Sequence, residues 1–433
     1  MPKMNDNPLY EELRKDYDNK LNHSGVNGER LAKRLFELSQ IGFVQVGGIK
    51  RPGFSDEEKA AKTLVKGWMK QAGLQVSEDG AGNVIARLEG LQKAPAIASG
   101  SHVDSVPNGG NFDGPLGVLS ALEVVESWKE TGYTPDKPFE VIIFSDEEGS
   151  RFNSGLTGSQ AMIGSISDEE IARLRDFNGA TLEQVLTHYG SSLESFKEAK
   201  RNLSELELFV EVHIEQGKKL EQAGQPVGIV NGIAGPAWLK VIFVGEAGHA
   251  GNTPMIGRKD CLVAAADYLQ SIPTFPKAIN DTAVATVGKL EVFPNGANVI
   301  PEKVEMLVDI RDINEEPRDL LIEQLIEQAK KIATNHEVHV TTNLNTRIKP
   351  VPIANDLQNR LATSLSKFDI TPTYIPSGAG HDAMNLGRTI PVAMLFVRSK
   401  DGISHNPKEW SSLNDCVMGV HVLKDFIEDA MKR

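Results

Sequence analysis

Cysteine is almost absent: Cys261 and Cys416 are the only two in 433 residues. They are too few for a disulfide framework or a thiolate metal site. Nor is there an excess of positive charge, because 46 Lys and Arg face 59 Asp and Glu, a formal net charge of −13. Phosphate binding needs a concentrated basic face, so no nucleic-acid partner is expected, and an anionic membrane surface finds no support. The opening MPKMNDNPLYEELRKDYDNK lacks the apolar stretch of a secretory signal, and no run reaches transmembrane length. Internal repeats, low-complexity segments and long flexible linkers are missing as well. These absences lead to the expectation of a soluble, cytoplasmic protein. What is present, 40% hydrophobic and 24% charged residues, is ordinary globular usage over a length that predicts at least two domains.

The first thirty residues read as a polar arm or a capping helix. Ser55 to Glu58 reads as a capping box, and the following AAKTLVKGWMKQAG keeps helical periodicity until Gly73. Short β-rich runs follow at 83–90 and 94–105, then a helix over about 115–131 and the nearly all-apolar strand FEVIIFSDEEG at 139–149. Strands apolar on both faces, alternating with helices, predict a mixed, mostly parallel α/β sheet flanked by helices. LFVEVHIEQG at 208–217 reads as a further strand of it. After Gly235 the order becomes strand 238–246, helix 258–272, strand 282–294, strand 304–312, helix 316–336 and strand 337–345. That β-α-β-β-α-β order predicts an inserted ferredoxin-like α+β domain. The expected division is a discontinuous domain of 1–234 and 346–433 around an insertion of 235–345, with a strand at 391–397 and a last helix from about 412.

Polar residues gather near the predicted strand ends. His102 and Asp104 are two apart, so on a strand they share a face and the carboxylate could hold the imidazole's tautomer. The pair also suits a simple strand-end turn. Asp146, Glu147 and Glu148 follow a buried strand, which points them at the carboxyl edge where open α/β sheets place their sites. On a strand, Glu211, His213 and Glu215 share a face, giving His213 a carboxylate on either side. Asp113, His249, His381 with Asp382, and His405 lie in further glycine-rich or polar segments. Singly these fit core or loop histidines. Together, nitrogen and carboxylate ligands without thiolates suit zinc, manganese or cobalt, and adjacent carboxylates suit a two-metal site with a separate general base. The spacing alone thus points to a metallohydrolase.

The ordered motifs GSHVDSVPNGGNFDGPLG, FSDEEGSRF, FVEVHIEQG, GHAGNTPM, GANVIPE, DIRD, SGAGHDA and GISHNP span about residues 29 to 425. In them the chain resembles the amidase, hydantoinase/carbamoylase family. This is a branch of the dinuclear-metal aminoacylase and carboxypeptidase superfamily that includes N-carbamoyl-L-amino acid hydrolases, allantoate amidohydrolases and β-ureidopropionases. The resemblance implies that Asp113 bridges two divalent ions, with His102 and His213 completing one ligand set and Glu148 and His405 the other. It implies Glu147 as general base, Asp104 as the partner of His102, and Gln216, His249, Asn298, Arg311 and Gly380 as substrate contacts. His249 is also a candidate for stabilising the oxyanion. Histidine at 213, where related peptidases usually carry an acid, marks the carbamoylase branch. The inserted domain is implied to close over the site as a lid and to form a homodimer.

GIVNGIAGPAWLKV and FVRSKDGISHNPKEWSS look most like the bacterial N-carbamoyl-L-amino acid hydrolases. Pro236, Ala237 and Trp238 stand where allantoate enzymes tend to be polar or basic. The implied activity is hydrolysis of the ureido C–N bond of N-carbamoyl-L-amino acids to L-amino acid, carbon dioxide and ammonia. The alternatives are an allantoate amidohydrolase or ureidopropionase of the same mechanism, and a silent ureido-acid-binding protein.

Overall fold

Helices α1 (Leu9–Lys15) and α2 (Gly28–Ser39) occupy the polar N-terminal stretch of the computed structural model, which describes residues 7–44 and 48–432. The first six residues of the expected arm lie outside the described residues. Helix α3 (Asp56–Ala72) begins where Ser55 accepts the Glu58 N–H and ends at Gly73, left-handed with φ 97°. The expected capping box is only half formed. The Ser55 N–H donates to Pro52 O, while the Glu58 carboxylate accepts the Phe54 N–H at 2.6 Å and pairs with buried Lys62 at 2.7 Å.

Strands β1 (Gln75–Glu78), β2 (Val84–Leu88) and β3 (Ala96–His102) lead to helix α4 (Pro115–Thr131) and strand β4 (Phe139–Phe144). Next come four short helices, α5 (Thr157–Ile163), α6 (Asp168–Arg173), α7 (Leu182–Tyr189) and α8 (Leu193–Glu198). They bury Leu182, Leu186, Tyr189 and Phe196 against Phe54 and Phe152 in a small core of their own. Strand β5 (Leu206–Ile214), helix α9 (Lys219–Ala223) and strand β6 (Val227–Ile233) follow.

Then the rhythm of the insertion begins with β7 (Ala237–Val244), the two-residue β8 (Gly248–His249), α10 (Cys261–Ser271), α11 (Thr274–Ile279) and β9 (Val284–Phe293). It ends with β10 (Val299–Ile300), β11 (Lys303–Arg311), α12 (Glu315–Asn335) and β12 (His339–Arg347). The sheet order β12-β7-β11-β9, antiparallel throughout, is that of the split β-α-β-β-α-β arrangement. Alternate residues of β7 (Ala237, Leu239, Val241, Phe243) are buried with Ala264 and Tyr268 of α10 and Leu321 and Leu325 of α12. Each fully buried large apolar side chain there contributes roughly 1.5–3 kcal/mol.

The chain returns through β13 (Val351–Pro352), α13 (Asn355–Ser366), β14 (Tyr374–Ser377), α14 (Asp382–Leu386), β15 (Val392–Val397) and α15 (Leu413–Met431). It forms two compact units. One is Met1–Asn231 with Ile353–Ile375 and His381–Arg433, the other Gly232–Pro352 with Pro376–Gly380.

The large sheet runs β1-β2-β4-β3-β5-β15-β6-β13, with β14 also beside β6. Its centre, β4-β3-β5-β15, is parallel, while β1, β2 and β6 flank it antiparallel. The parallel strands are buried almost throughout, with α4 against β3 and β5 and α15 against β15. Four carboxyl ends therefore open at one edge, the position that gathers functional loops in such sheets. Among the described residues, no helix is long and apolar enough to cross a membrane.

Candidate metal centre

His102 is the last residue of β3, with its ring fully buried. Its Nδ1 lies 3.1 Å from Asp104 O and 3.4 Å from Asp104 Oδ1. A proton on Nδ1 leaves the Nε2 lone pair free to coordinate, and Nε2 is buried with no hydrogen-bond partner. His213, near the end of β5, repeats the device: Nδ1 is 3.0 Å from Ile214 O, and Nε2 is 3.1 Å from Asp113 Oδ1. His102 Nε2 is 3.5 Å from the same Asp113 oxygen.

Asp113 reaches this point because Gly114, at φ 83°, lets the chain turn into α4 against the His102 ring; a Cβ there would come 2.4 Å from Cε1 of that ring. The other Asp113 oxygen, Oδ2, accepts from Gln216 Nε2 at 2.8 Å and Ser404 Oγ at 2.6 Å, and lies 3.5 Å from His405 Nε2. His405 Nε2 is in turn 3.1 Å from Glu148 Oε2. Two ligand groups result, His102–Asp113–His213 and Asp113–Glu148–His405, with Asp113 common to both.

Glu147 and Glu148 are aimed by the turn after β4. Asp146 is held left-handed at φ 51°, its Oδ2 accepting from Thr157 Oγ1 at 2.6 Å. Asp104 fastens the same turn, since its two carboxylate oxygens accept the Glu147 and Glu148 N–H groups, each at 3.1 Å. It thus holds His102 and the two glutamates together. Glu147 Oε2 lies 3.6 Å from His102 Nε2.

The electrostatics follow from crowding carboxylates under cover. Burial drives the Glu147 carboxyl well above the usual range, with His102 opposing and Glu148 adding to the rise. Burial raises Glu148 too, helped by Asp113. At Asp113 the effect of burial is outweighed by His213 and His102, which hold the carboxyl well below its ordinary value. The hydrogen bond to Glu148 lifts His405 to about 9. Unpartnered buried His102 Nε2, crowded carboxylates and nitrogen–oxygen donor sets without sulfur fit divalent metal ions.

The remaining sequence candidates fall into two sets. Gln216 stands in the same unit as the ligand groups and donates to Asp113 and to Ser404 Oγ, the latter at 3.2 Å. His249, Asn298, Arg311 and Gly380 belong to the inserted unit. There the His249 Nδ1 accepts the Gly251 and Asn252 N–H groups at 3.1 and 3.2 Å, which leaves the ring proton on Nε2. Asn298 lies beside it, its carbonyl accepting the Ala250 N–H at 2.9 Å. Arg311 binds Asp309 through Nε and Nη2, each at 2.8 Å, and Gly378 O through Nη1 at 2.7 Å. One N–H remains on each of its terminal nitrogens.

One expectation changes, and two residues join the site. Glu215 does not flank His213, because β5 ends at Ile214 and the Glu215 carboxylate instead caps α9, accepting the Lys219 and Leu220 N–H groups at 2.6 and 2.9 Å. Ser404 and Glu409 sit against Asp113 although the motif reading passed over them. Their only signal was their place within five residues of His405. His381 is buried, its ring 4.5 Å from that of His213.

The family model for peptidase family M20/M25/M40 matches residues 98–429. The N-carbamoyl-L-amino acid amidohydrolase of Geobacillus stearothermophilus is 43% identical over 399 residues, 92% of this chain and 97% of the relative. The allantoate amidohydrolase of Bacillus subtilis is 36% identical over 391 residues, 90% of this chain and 94% of the relative. Among solved structures, the amidase of the hydantoinase/carbamoylase family from Burkholderia multivorans superposes with a TM-score of 0.87 at 33% identity, covering 94% of this chain and 99% of that one.

Proposed function

The chain belongs to peptidase family M20/M25/M40, and on that premise we propose that it hydrolyses the ureido C–N bond of N-carbamoyl-L-amino acids. It is an enzyme acting on non-peptide C–N bonds. The observation that supports a metal-assisted hydrolysis is the sharing of Asp113 between two nitrogen–oxygen ligand groups, with Glu147 beside them and outside both, while the 43% identity to the Geobacillus stearothermophilus N-carbamoyl-L-amino acid amidohydrolase supports the choice of substrate.

In this reading the two groups hold two divalent ions, zinc, manganese or cobalt. Bound there, such ions supply Lewis acidity, acidifying a water and polarising the ureido carbonyl. Glu147, raised by its burial, takes the proton of the attacking water and returns it to the departing nitrogen. Water adds its oxygen to the carbonyl carbon, one C–N bond breaks, and the carbamate formed loses carbon dioxide, leaving amino acid and ammonia. Asp104 keeps the His102 proton on Nδ1 and the Glu147 backbone in place. His249 donates its Nε2–H to the developing oxyanion. Arg311, through its two remaining terminal N–H groups, grips the substrate carboxylate with Asn298, while Gln216 and Gly380 complete the contacts. The proposal includes a cytoplasmic homodimer formed through the inserted unit, for which sedimentation is the check.

The likeness to the Bacillus subtilis allantoate amidohydrolase favours a second reading, the same chemistry on allantoate. Steady-state ammonia release by manganese-reconstituted protein separates the two. The first reading predicts a higher kcat/KM for N-carbamoyl-L-methionine; a higher value for allantoate overturns it.

A further inference from the structure

Glu409 is in neither ligand group, yet it is buried to 3% exposure beside the carboxylate common to both. Its Oε1 accepts the N–H groups of Phe112 at 2.8 Å and of Asp113 at 3.1 Å. Its Oε2 lies 3.2 Å from Ser404 Oγ, and that hydroxyl is 2.6 Å from Asp113 Oδ2. A hydroxyl has one proton, and the shorter contact assigns it to Asp113. One loop thus holds Asp113 twice, by the backbone through Glu409 and by the carboxylate through Ser404.

The fit around Glu409 is close. Gly110 passes so near that a Cβ would stand 2.2 Å from the Glu409 carboxylate, so the acid reaches the Phe112 and Asp113 amides only past a glycine. The neighbouring Trp410 packs edge-on against Phe112, ring centroids 5.7 Å apart. The loop is turned by Asn406, whose carbonyl accepts the Glu409 N–H at 3.0 Å and whose Oδ1 accepts the Lys408 N–H at 2.9 Å. Among the described residues Glu409 has no Lys, Arg or His in ion-pair contact. Burying a carboxylate is costly, and the N–H groups on either side of the Phe112 Cα counter only part of the cost: burial, with Asp113 adding to it, still lifts the Glu409 carboxyl to about 7.

We propose that Glu409 is the positioning residue that fixes how Asp113 divides its two oxygens between the ligand groups, and so sets the affinity of both for metal. This rests on the two-ion reading above. Residues that orient a ligand without touching the ion typically govern 10–100-fold in metal affinity.

The test is equilibrium dialysis of metal-stripped full-length protein against Mn²⁺, with Mn²⁺ per chain measured by elemental analysis and folding followed by the thermal midpoint. Glu409→Ala is expected to weaken both binding steps by about 10–100-fold. Glu409→Gln keeps an Oε1 acceptor for both N–H groups and is expected to stay within about threefold of wild type. A merely structural role lowers the midpoint of Glu409→Ala but leaves the Mn²⁺ affinity of the folded fraction unchanged, and that result overturns the proposal. So does a Glu409→Gln protein as weakened as Glu409→Ala, because the charge would then be the active feature. Should Glu409→Ala not fold, Glu409→Asp decides, its carboxylate one methylene short of the Phe112 and Asp113 N–H groups: about tenfold weaker binding with near-normal Glu409→Gln supports the proposal, and unchanged binding in Glu409→Asp overturns it. Wild-type protein that binds no Mn²⁺ overturns the two-ion reading and this inference with it. Wild-type binding alongside an unaltered Glu409→Ala overturns the inference alone.

Discussion

The two ligand groups that share Asp113 are built from different materials. In one, His102 and His213 stand at the ends of central parallel strands, fully buried, each with its tautomer set by a backbone carbonyl. In the other, Glu148 and His405 come from turns, and the His405 side chain is 49% exposed on a backbone at φ 54°. Strand-borne ligands have little to reorganise when an ion binds, whereas loop-borne ligands must be held in place by their neighbours. On the two-ion proposal, the difference teaches that one centre would combine a preformed position with a looser, solvent-facing one.

The comparison can be broken at its shared element. Asp113→Asn weakens both positions together, and turnover is expected to fall at least about 10³-fold, since residues acting as a unit fail together. Metal content measured alongside activity checks it; two ions retained with normal turnover would remove the shared carboxylate from the account. Glu147→Gln tests the residue outside both groups. It should keep both ions and lose about 10²–10⁴-fold in kcat. Full activity in a metal-replete Glu147→Gln protein would sink its role as base.

Two smaller effects sharpen the contrast. His405→Ala should weaken the looser position by about 10²-fold or more while leaving the tighter one within about threefold, as read by dialysis. Equal loss at both positions would mean that they are not separable. The pH dependence of the looser position follows from its histidine. Metal-free His405 carries a proton up to about pH 9, and that proton must leave before the ring can coordinate. Affinity there should rise with pH and level off near pH 9, falling about tenfold per unit below it. A flat profile between pH 6 and 9 would contradict the pairing of His405 with Glu148.

Long periodic elements were legible in the sequence. Helix α3 announces itself through Ser55 and Gly73, β4 through its unbroken apolar run, and the inserted sheet through alternating Leu239, Val241 and Phe243. The short helices α5 to α8 were not, because six to eight residues offer barely two turns of pattern. Strand β1 was missed for its polar QVSE. At the site, motif position drew attention to His102, Asp113, Glu148, His213 and His405, while the supporting bonds stayed hidden. Asp104 holds Glu147 and Glu148 across 43 and 44 residues, and Glu409 holds Asp113 across 296. Only the fold brings such partners together. Glu215 shows the reverse error, since a two-residue period was extended one step beyond the end of its strand.

The central claim is a centre in which one carboxylate serves two unequal ion positions. Mn²⁺ titration of the metal-stripped wild-type chain, with bound metal counted per chain, tests it most directly. The account predicts two steps of unequal affinity, the weaker of which disappears in His405→Ala. A single step of one ion per chain, or two steps that both survive in His405→Ala, would contradict it.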